Sequence, residues 1–484
     1  MGRPAFQDRN HFRPRSDYRI LPFRFGRLDG ERYVLTNEVG EYALLGRDDL
    51  QSFVDRRLDV AGAVYQTLKA KHFLFDDESR VALDLLALKY RTRAEPLSWF
   101  TGLHIFVVTL RCTNSCRYCQ VSHREEEDAR FDMSLENADR ALDFTFRSPS
   151  PSIKIELQGG EPLLNFPIVR HIVERASRLN QAYGRHLEFV IASNLALLSK
   201  DILAFCKEYD VLFSTSLDGP EDLHDEQRIL RGGPSYRTTV EAIRRVQEAL
   251  GPDSVSALMT TTRAGLSRAE EIVDEYVRQG LHSIFLRNMR PYGFAVHNDL
   301  VDAYSAPEWV EFYRRALAQV LAVNRRGYPL REEYSAILLR KMLAPSGTRY
   351  VDLQSPAGIG IAAVAFNYDG AVYASDEGRM LAEMGDPSFR LGHLSSDSFE
   401  SIMTSEALLA PLADTMLEGV PMCSDCPFLP YCGADPVFHK ATQGDTVGHK
   451  AWSEFCEKQT GVLRHLISLL EDDPEARETL LGWV

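Results

Sequence analysis

The chain has 484 residues, 44% hydrophobic and 26% charged, with a formal net charge of −14; at roughly 100–200 residues per domain it has room for two to four domains. The acidic balance argues against non-specific nucleic-acid binding, which needs basic patches. No apolar run approaches the ~20 residues of a membrane span. The N-terminus lacks the apolar stretch of a signal peptide, and Phe6 stands where a myristoylation signal wants Ser or Thr. A cytoplasmic location with reduced thiols is therefore expected, where clustered cysteines mean metal or catalysis more often than disulfides.

In chain order, residues 1–24 hold six Arg against two Asp and read as a mostly disordered arm, a contact for an acidic partner. RYVLTNEVGEYALL (32–45) predicts a two-stranded hairpin around Asn37 to Gly40. Helical segments follow in DDLQSFVDRRL and AGAVYQTLKAK, making residues 1–97 a small α+β domain. From 98 onward, six β-type runs alternate with amphipathic helices: LHIFVVTL (103–110), IKIELQ (153–158), LEFVIAS (187–193), VLFSTSL (211–217), SVSALMTT (254–261) and SIFLRN (283–288). They show little strict alternation, as in parallel strands buried on both faces. Among the helices, LSRAEEIVDEYVRQGL predicts a capping box at Ser267 and Glu270, an apolar face of Ile272, Val273, Tyr276 and Val277, and a stop at Gly280. The fold class is α/β, with a parallel sheet that is open or partly closed like a barrel. A helical linker (306–345), including APEWVEFYRRALAQVLAVN, precedes a loop-rich region (346–484). That region opens on a hairpin turning at Tyr368-Asp369-Gly370 and closes on a helix.

In parallel α/β folds the C-terminal strand ends face one side, and ligands bind there. After the first run come Cys112, Cys116 and Cys119; after the second, GGEP (159–162); then Ser193-Asn194, SLDGP (216–220) and Arg287-Asn288. These residues are expected to converge on one site. The cysteine spacing C-x3-C-x2-C supplies three thiolates, enough for three irons of a [4Fe–4S] cluster with the fourth iron open. A zinc site completed by His123 is the alternative. Cys206, in DILAFCKEYD, reads as a small buried apolar residue.

With the following strand ends, RCTNSCRYCQ resembles the signature of the radical S-adenosylmethionine (SAM) enzymes. The resemblance implies a partial (β/α)6 TIM-like barrel core over 98–305 and a SAM-chelating [4Fe–4S] cluster on Cys112, Cys116 and Cys119. It also implies reductive cleavage of SAM to a 5′-deoxyadenosyl radical that abstracts a substrate hydrogen. Position by position, it places Tyr118 and Leu286 against the adenine and the GGEP residues Gly159, Gly160 and Glu161 at the SAM amino group. Ser193 and Asn194 match a Thr-Asn position, Ser216 the ribose contact and Arg228 the partner of the SAM carboxylate.

MCSDCPFLPYCG, with Cys423, Cys426 and Cys432 followed by Cys456, can close a zinc site or a [4Fe–4S] cluster. It resembles the SPASM extension of peptide- and protein-modifying radical SAM enzymes. Full SPASM domains carry two auxiliary clusters. Here Ser375 and Pro436 stand where cysteines of one are expected, so one auxiliary [4Fe–4S] cluster is implied. Sulfatase-maturing relatives imply that Asp376 accepts a substrate proton; the other reading is a solvated hairpin carboxylate. LPFRFGRLDGERYVLTNEVGEY, VVTLRCTNSCRYCQVS and NYDGAVYASDEGRML resemble the radical SAM maturase of His-Xaa-Ser peptide-modification systems. The implied substrate is a ribosomally made precursor peptide, crosslinked or oxidised, with a small electron donor such as flavodoxin or ferredoxin. The N-terminal domain would bind a leader peptide at its hairpin edge or merely shield the core. Sulfatase-maturase-like oxidation of Cys or Ser in a protein, and a non-catalytic iron–sulfur scaffold or electron carrier, are the competing readings.

Overall fold

The computed structural model describes residues 18–76, 81–346 and 348–484. The six core strands are Leu103–Thr109, Ser152–Gly159, His186–Ala192, Val211–Ser216, Val255–Thr260 and Ser283–Arg287, each within two residues of its predicted run. All six pair in parallel in sequence order. The apolar helix faces between them follow the same logic. Phe166–Tyr183 buries Ile168, Val169, Ile172, Val173 and Ala176 against the sheet and stops at Gly184 in the left-handed region.

The sheet continues past the core at both ends, ten strands in all. Arg331–Glu332 adds in parallel beside the sixth strand, and Ala363–Phe366 adds in parallel beside the first. The hairpin partner Ala371–Tyr373 and then Arg390–His393 extend that edge antiparallel. The predicted hairpin is therefore an extension of the core sheet, which carries the residues after it to the mouth of the barrel.

The predicted capping box at Ser267 does not form. The helix begins at Ala269, and Arg315 draws the Glu270 carboxylate outward at 2.5 Å. The arm expected over 1–24 lies outside the described residues as far as residue 17. Beyond that it is structured: Tyr18–Ile20 pairs with Leu74–Asp76, and Phe23–Arg27 pairs with Arg32–Asn37. The reason is apolar burial, with the Tyr18 ring set edge-on to Tyr65 at 5.3 Å. The N-terminal sheet thus has three strands over a core of its own built on Leu35, Phe53, Leu68 and Phe73.

This N-terminal sheet packs on the C-terminal cysteine loop. Thr36 Oγ1 donates to Pro427 O (2.7 Å), Tyr431 Oη to Gly40 O (2.7 Å), and Arg93 Nη2 to Pro430 O (2.9 Å). Arg290, just past the sixth strand, is buried between Asp352 and Asp435 (2.6 Å to the latter), tying the core to the C-terminal region. Among the described residues no helix is long and apolar enough to cross a membrane.

Candidate functional site

A cavity of about 210 Å³ opens at the C-terminal ends of the core strands. Cys112, Cys116 and Cys119 line it, as do Tyr118, Gly159, Gly160, Ser193, Asn194, Ser216, Arg228 and Asp376. These include ten of the twelve residues that sequence reasoning assigned to the cluster and SAM, together with Asp376 from the C-terminal region. Two others are placed differently. Glu161 is fully buried behind the wall. Leu286 does not line this cavity but a separate, smaller one. Side chains alternate along the sixth strand, so Leu286 turns into the core while its neighbour Arg287 takes the mouth.

The cysteine loop is fastened from three sides. Asn114–Cys116 pairs antiparallel with Arg228–Leu230, setting Cys116 opposite Arg228. Gly160 N–H donates to Thr109 O and Glu161 N–H to Arg111 O (2.9 and 2.7 Å). A Cβ on Gly160 would stand 2.2 Å from Arg111 O, so only glycine allows this approach. Phe294 N–H donates to Cys119 O (2.7 Å), and Gly293, at φ 57°, lies against the same carbonyl.

Glu161 brackets the third strand end. Its Oε1 accepts from Ser193 Oγ (2.8 Å) and Leu163 N–H (3.0 Å), and its Oε2 from Asn194 N–H (2.8 Å). Burial pushes its carboxyl up to about 7 despite these donors. The Asn194 amide then reaches Thr113 Oγ1 (3.0 Å), Asn114 Oδ1 (2.9 Å) and the Cys112 sulfur (3.9 Å).

Arg228 forms a two-point pair with Asp218, with Nε to Oδ2 at 2.9 Å, and its guanidinium lies 5.2 Å from the Tyr118 ring centre. The Tyr118 hydroxyl donates to the same carboxylate. Sequence reasoning did not single out Asp218. Its signal was its position two residues after Ser216, at the strand's C-terminal end.

Burial favours the protonated form of two of the thiols: Cys112 is raised well above the ordinary thiol range and Cys116 to about 12. A bound metal inverts that preference, since coordination deprotonates a thiol outright. Three soft thiols around one cavity suit iron–sulfur ligation. Among the described residues no group of three or more His, Cys, Asp or Glu could hold a single metal ion. His123 lines the same cavity, its Nδ1 buried without a hydrogen bond and its ring edge-on to Phe294.

Asp376 reaches the mouth from the far side of the sheet extension. Ser375 Oγ accepts from Gly378 N–H (3.1 Å) and caps the helix Asp376–Glu383, on which Arg379 Nε holds Asp376 Oδ1 at 2.9 Å. The adjacent Glu377 faces Arg287 at 3.7 Å, its carboxyl raised by burial and by Asp352 and Asp376. Ser375 thus caps a helix where the SPASM pattern has a cysteine, and Pro436 opens the helix Pro436–Gln443.

The C-terminal cysteines sit in a run of turns over 421–432, with Cys456 in the first turn of Glu454–Asp472, where Ser453 Oγ caps its N–H. Burial raises all four thiols, Cys423 to about 11 and Cys432 to about 12, and Cys426 and Cys456 raise Cys432 further through space. Lys341 Nζ, pushed down to about 7 by burial, donates to Cys432 O (2.6 Å).

Residues 106–285 match the Radical SAM superfamily. An uncharacterized protein of Methanocaldococcus jannaschii is 29% identical over 189 residues, 39% of this chain and 62% of the relative, so the match spans less than two thirds of that relative's length. The serine-type anaerobic sulfatase-maturating enzyme of Bacteroides thetaiotaomicron is 28% identical over 144 residues, 28% of this chain and 34% of the relative. Among solved structures, anSMEcpe with bound AdoMet and a Cp18Cys peptide superposes with a TM-score of 0.63 at 14% identity, covering 79% of this chain and 99% of that one. Streptococcus suis SuiB bound to the precursor peptide SuiA gives 0.54 at 12%, covering 90% and 98%. Residues 106–285 thus carry the likeness to the Radical SAM superfamily, and the fold is shared with anSMEcpe and SuiB.

Proposed function

We propose that the chain is a radical SAM peptide maturase. The carrying observation is the convergence of three thiols, the Gly159-Gly160 turn, the Ser216 and Arg228 positions and Asp376 on one cavity. Cys112, Cys116 and Cys119 would hold a [4Fe–4S] cluster with SAM on its open iron. When bound, cluster and SAM together supply one electron and a 5′-deoxyadenosyl radical that takes a hydrogen atom from the substrate.

The chain's own residues then bind and orient. The Gly159-Gly160 backbone and Ser216 would meet SAM, with Tyr118 at its adenine. Arg228, which lines the cavity while paired with the buried Asp218, would face the SAM carboxylate. Asp376, steadied by Arg379, would accept a substrate proton. Cys423, Cys426, Cys432 and Cys456 would hold one auxiliary [4Fe–4S] cluster. The division into 1–97, 98–305, 306–345 and 346–484 fits these roles, with the N-terminal sheet as the element for leader-peptide recognition. A cytoplasmic setting and a flavodoxin- or ferredoxin-type donor complete the reading.

The substrate class is a ribosomally made precursor peptide, crosslinked or oxidised. Its support is the fold shared with SuiB, which is described bound to its precursor peptide. The relative named as a sulfatase-maturating enzyme favours a second reading, oxidation of Cys or Ser in a protein. Anaerobic coexpression with short reading frames beside the gene, followed by mass spectrometry, tests the first. A loss of hydrogen mass in such a peptide supports it. Modification of a sulfatase-type protein and of no peptide would establish the second.

A further inference from the structure

The inner faces of the core strands mix polar side chains with apolar ones such as Val190, Leu212, Leu258 and Phe285. Side chains pointing into the barrel include Glu156 and Gln158 on the second strand, Ser214 and Ser216 on the fourth, and Ser256 and Thr260 on the fifth. A filled barrel packs bulky branched residues there. Here the interior stays open. A cavity of about 700 Å³ enters at the barrel floor, where residues just ahead of the fifth and sixth strands, such as Asp253 and His282, form its rim. Ser214 and Leu258 line both this floor cavity and the one at the mouth, so the two meet there.

Glu156 stands one inward step below Gln158, at the junction of floor and mouth. Among the described residues its carboxylate has no hydrogen-bond or ion-pair partner; its electrostatic neighbours are Lys154 on its own strand, Arg287 on the sixth, and Asp376 and Glu377 on the helix above. Lys154 is turned toward Glu188 (2.8 Å), and Arg287 toward Glu377. At the floor, His282 pairs with Asp253 (2.9 Å) and Arg331 with Glu333 (2.8 Å). An unpaired carboxyl between Asp376 and a cavity open at the barrel floor has the placement of a relay.

We propose that the barrel interior is a proton-exit route, in which Glu156 passes the proton taken up by Asp376 to water in the floor cavity. This rests on the reading of Asp376 as the proton acceptor. The substrate's X–H bond breaks with its electron pair left on the substrate. The proton moves to Asp376, then to Glu156, then to bulk water, and both carboxylates return to their starting state. Glu156 acts through Asp376 and is a positioning residue. The raised carboxyl expected from its burial agrees with a group that holds a proton in transit.

The test uses infrared difference spectra of the full chain across pH, in H2O and in D2O, and needs neither SAM cleavage nor a substrate. In the spectrum of the wild type minus that of Glu156→Gln, a protonated-carboxyl band titrating above the ordinary carboxylate range should remain, the other buried carboxyls cancelling between the two. Asp376→Asn should lower its midpoint by about half a pH unit or more, because a neighbouring negative charge is removed. The band should shift within the mixing time in D2O, and Ser256→Phe, which narrows the floor, should slow that shift. Absence of the band, a midpoint indifferent to Asp376→Asn, or a deuteration rate unchanged by Ser256→Phe would each overturn the route. Failure of the enzymatic reading would appear separately, as absent 5′-deoxyadenosine with these spectra intact.

Discussion

Arg228 and Asp218 form a buried ion pair, Nε to Oδ2 at 2.9 Å, directly behind the cysteine loop. Its partners reach in two directions. Asp218 also takes the Tyr118 hydroxyl and, at 3.2 Å, the Thr260 N–H, while Arg228 pairs through its backbone with Cys116. The pair therefore couples the cavity wall to the loop that would carry the cluster.

Removing one partner leaves a buried charge uncompensated. Arg228→Met is expected to cost about 3–5 kcal/mol of stability, read as a lowered denaturant midpoint. Arg228→Met with Asp218→Asn should recover a large part of it. Recovery of stability without recovery of SAM binding would separate the structural role of Arg228 from its ligand role.

Glu161 gives a pH signature. Burial raises its carboxyl to about 7 from an ordinary 4.5, so between those values the folded chain holds a proton that the unfolded chain has released. Stability then falls as pH rises through this window, by roughly 3 kcal/mol at most. In the metal-free protein Glu161→Gln should flatten that slope. It should also lower stability overall, because an amide cannot accept from both sides where the carboxylate meets three donors. Denaturation at a series of pH values from 4.5 to 8 reads both effects.

Gly160 admits no side chain, since a Cβ would meet the carbonyls of Arg111 and Leu110 at 2.2 and 2.5 Å. Backbone must shift to accept Gly160→Ala, at a cost of about 1–3 kcal/mol, and the cysteine loop shifts with it. Iron bound at the first site after reconstitution should fall, while iron at the C-terminal cysteines should not.

Ser375 caps the helix that carries Asp376. Ser375→Ala should cost about 1 kcal/mol, and Ser375→Asp, which keeps a capping oxygen, much less. Product formation should follow the cap more steeply than stability does, because the cap also sets where Asp376 points.

The legible parts of this chain were local. Six runs of β-type residues located the six core strands, although burial alternates along most of them, with one face in the core and the other toward the open barrel interior. Strand polarity then placed the cysteines, the GGEP turn and the Ser216 position around one cavity. Long-range pairings leave no such mark, so the hairpin at 363–373 could be read as a hairpin but not as an extension of the core sheet. Leu286 and Arg287 are one residue apart, and only the strand's phase decides which meets the mouth. Ser267 and Glu270 have the capping-box spacing, but Arg315, distant in sequence, offers Glu270 a stronger partner. Asp218 went unnoticed because its importance lies in partners that the fold brings to it, 10, 42 and 100 residues away.

The most direct measurement is anaerobic. The protein is reconstituted with iron and sulfide, reduced, given SAM and assayed for 5′-deoxyadenosine, alongside a variant with Cys112, Cys116 and Cys119 all changed to Ala. The account predicts about eight irons per wild-type chain and about four in the variant, with 5′-deoxyadenosine from wild type alone. Equal product from both, or none from a fully loaded and reduced wild type even with its candidate peptides present, would contradict it.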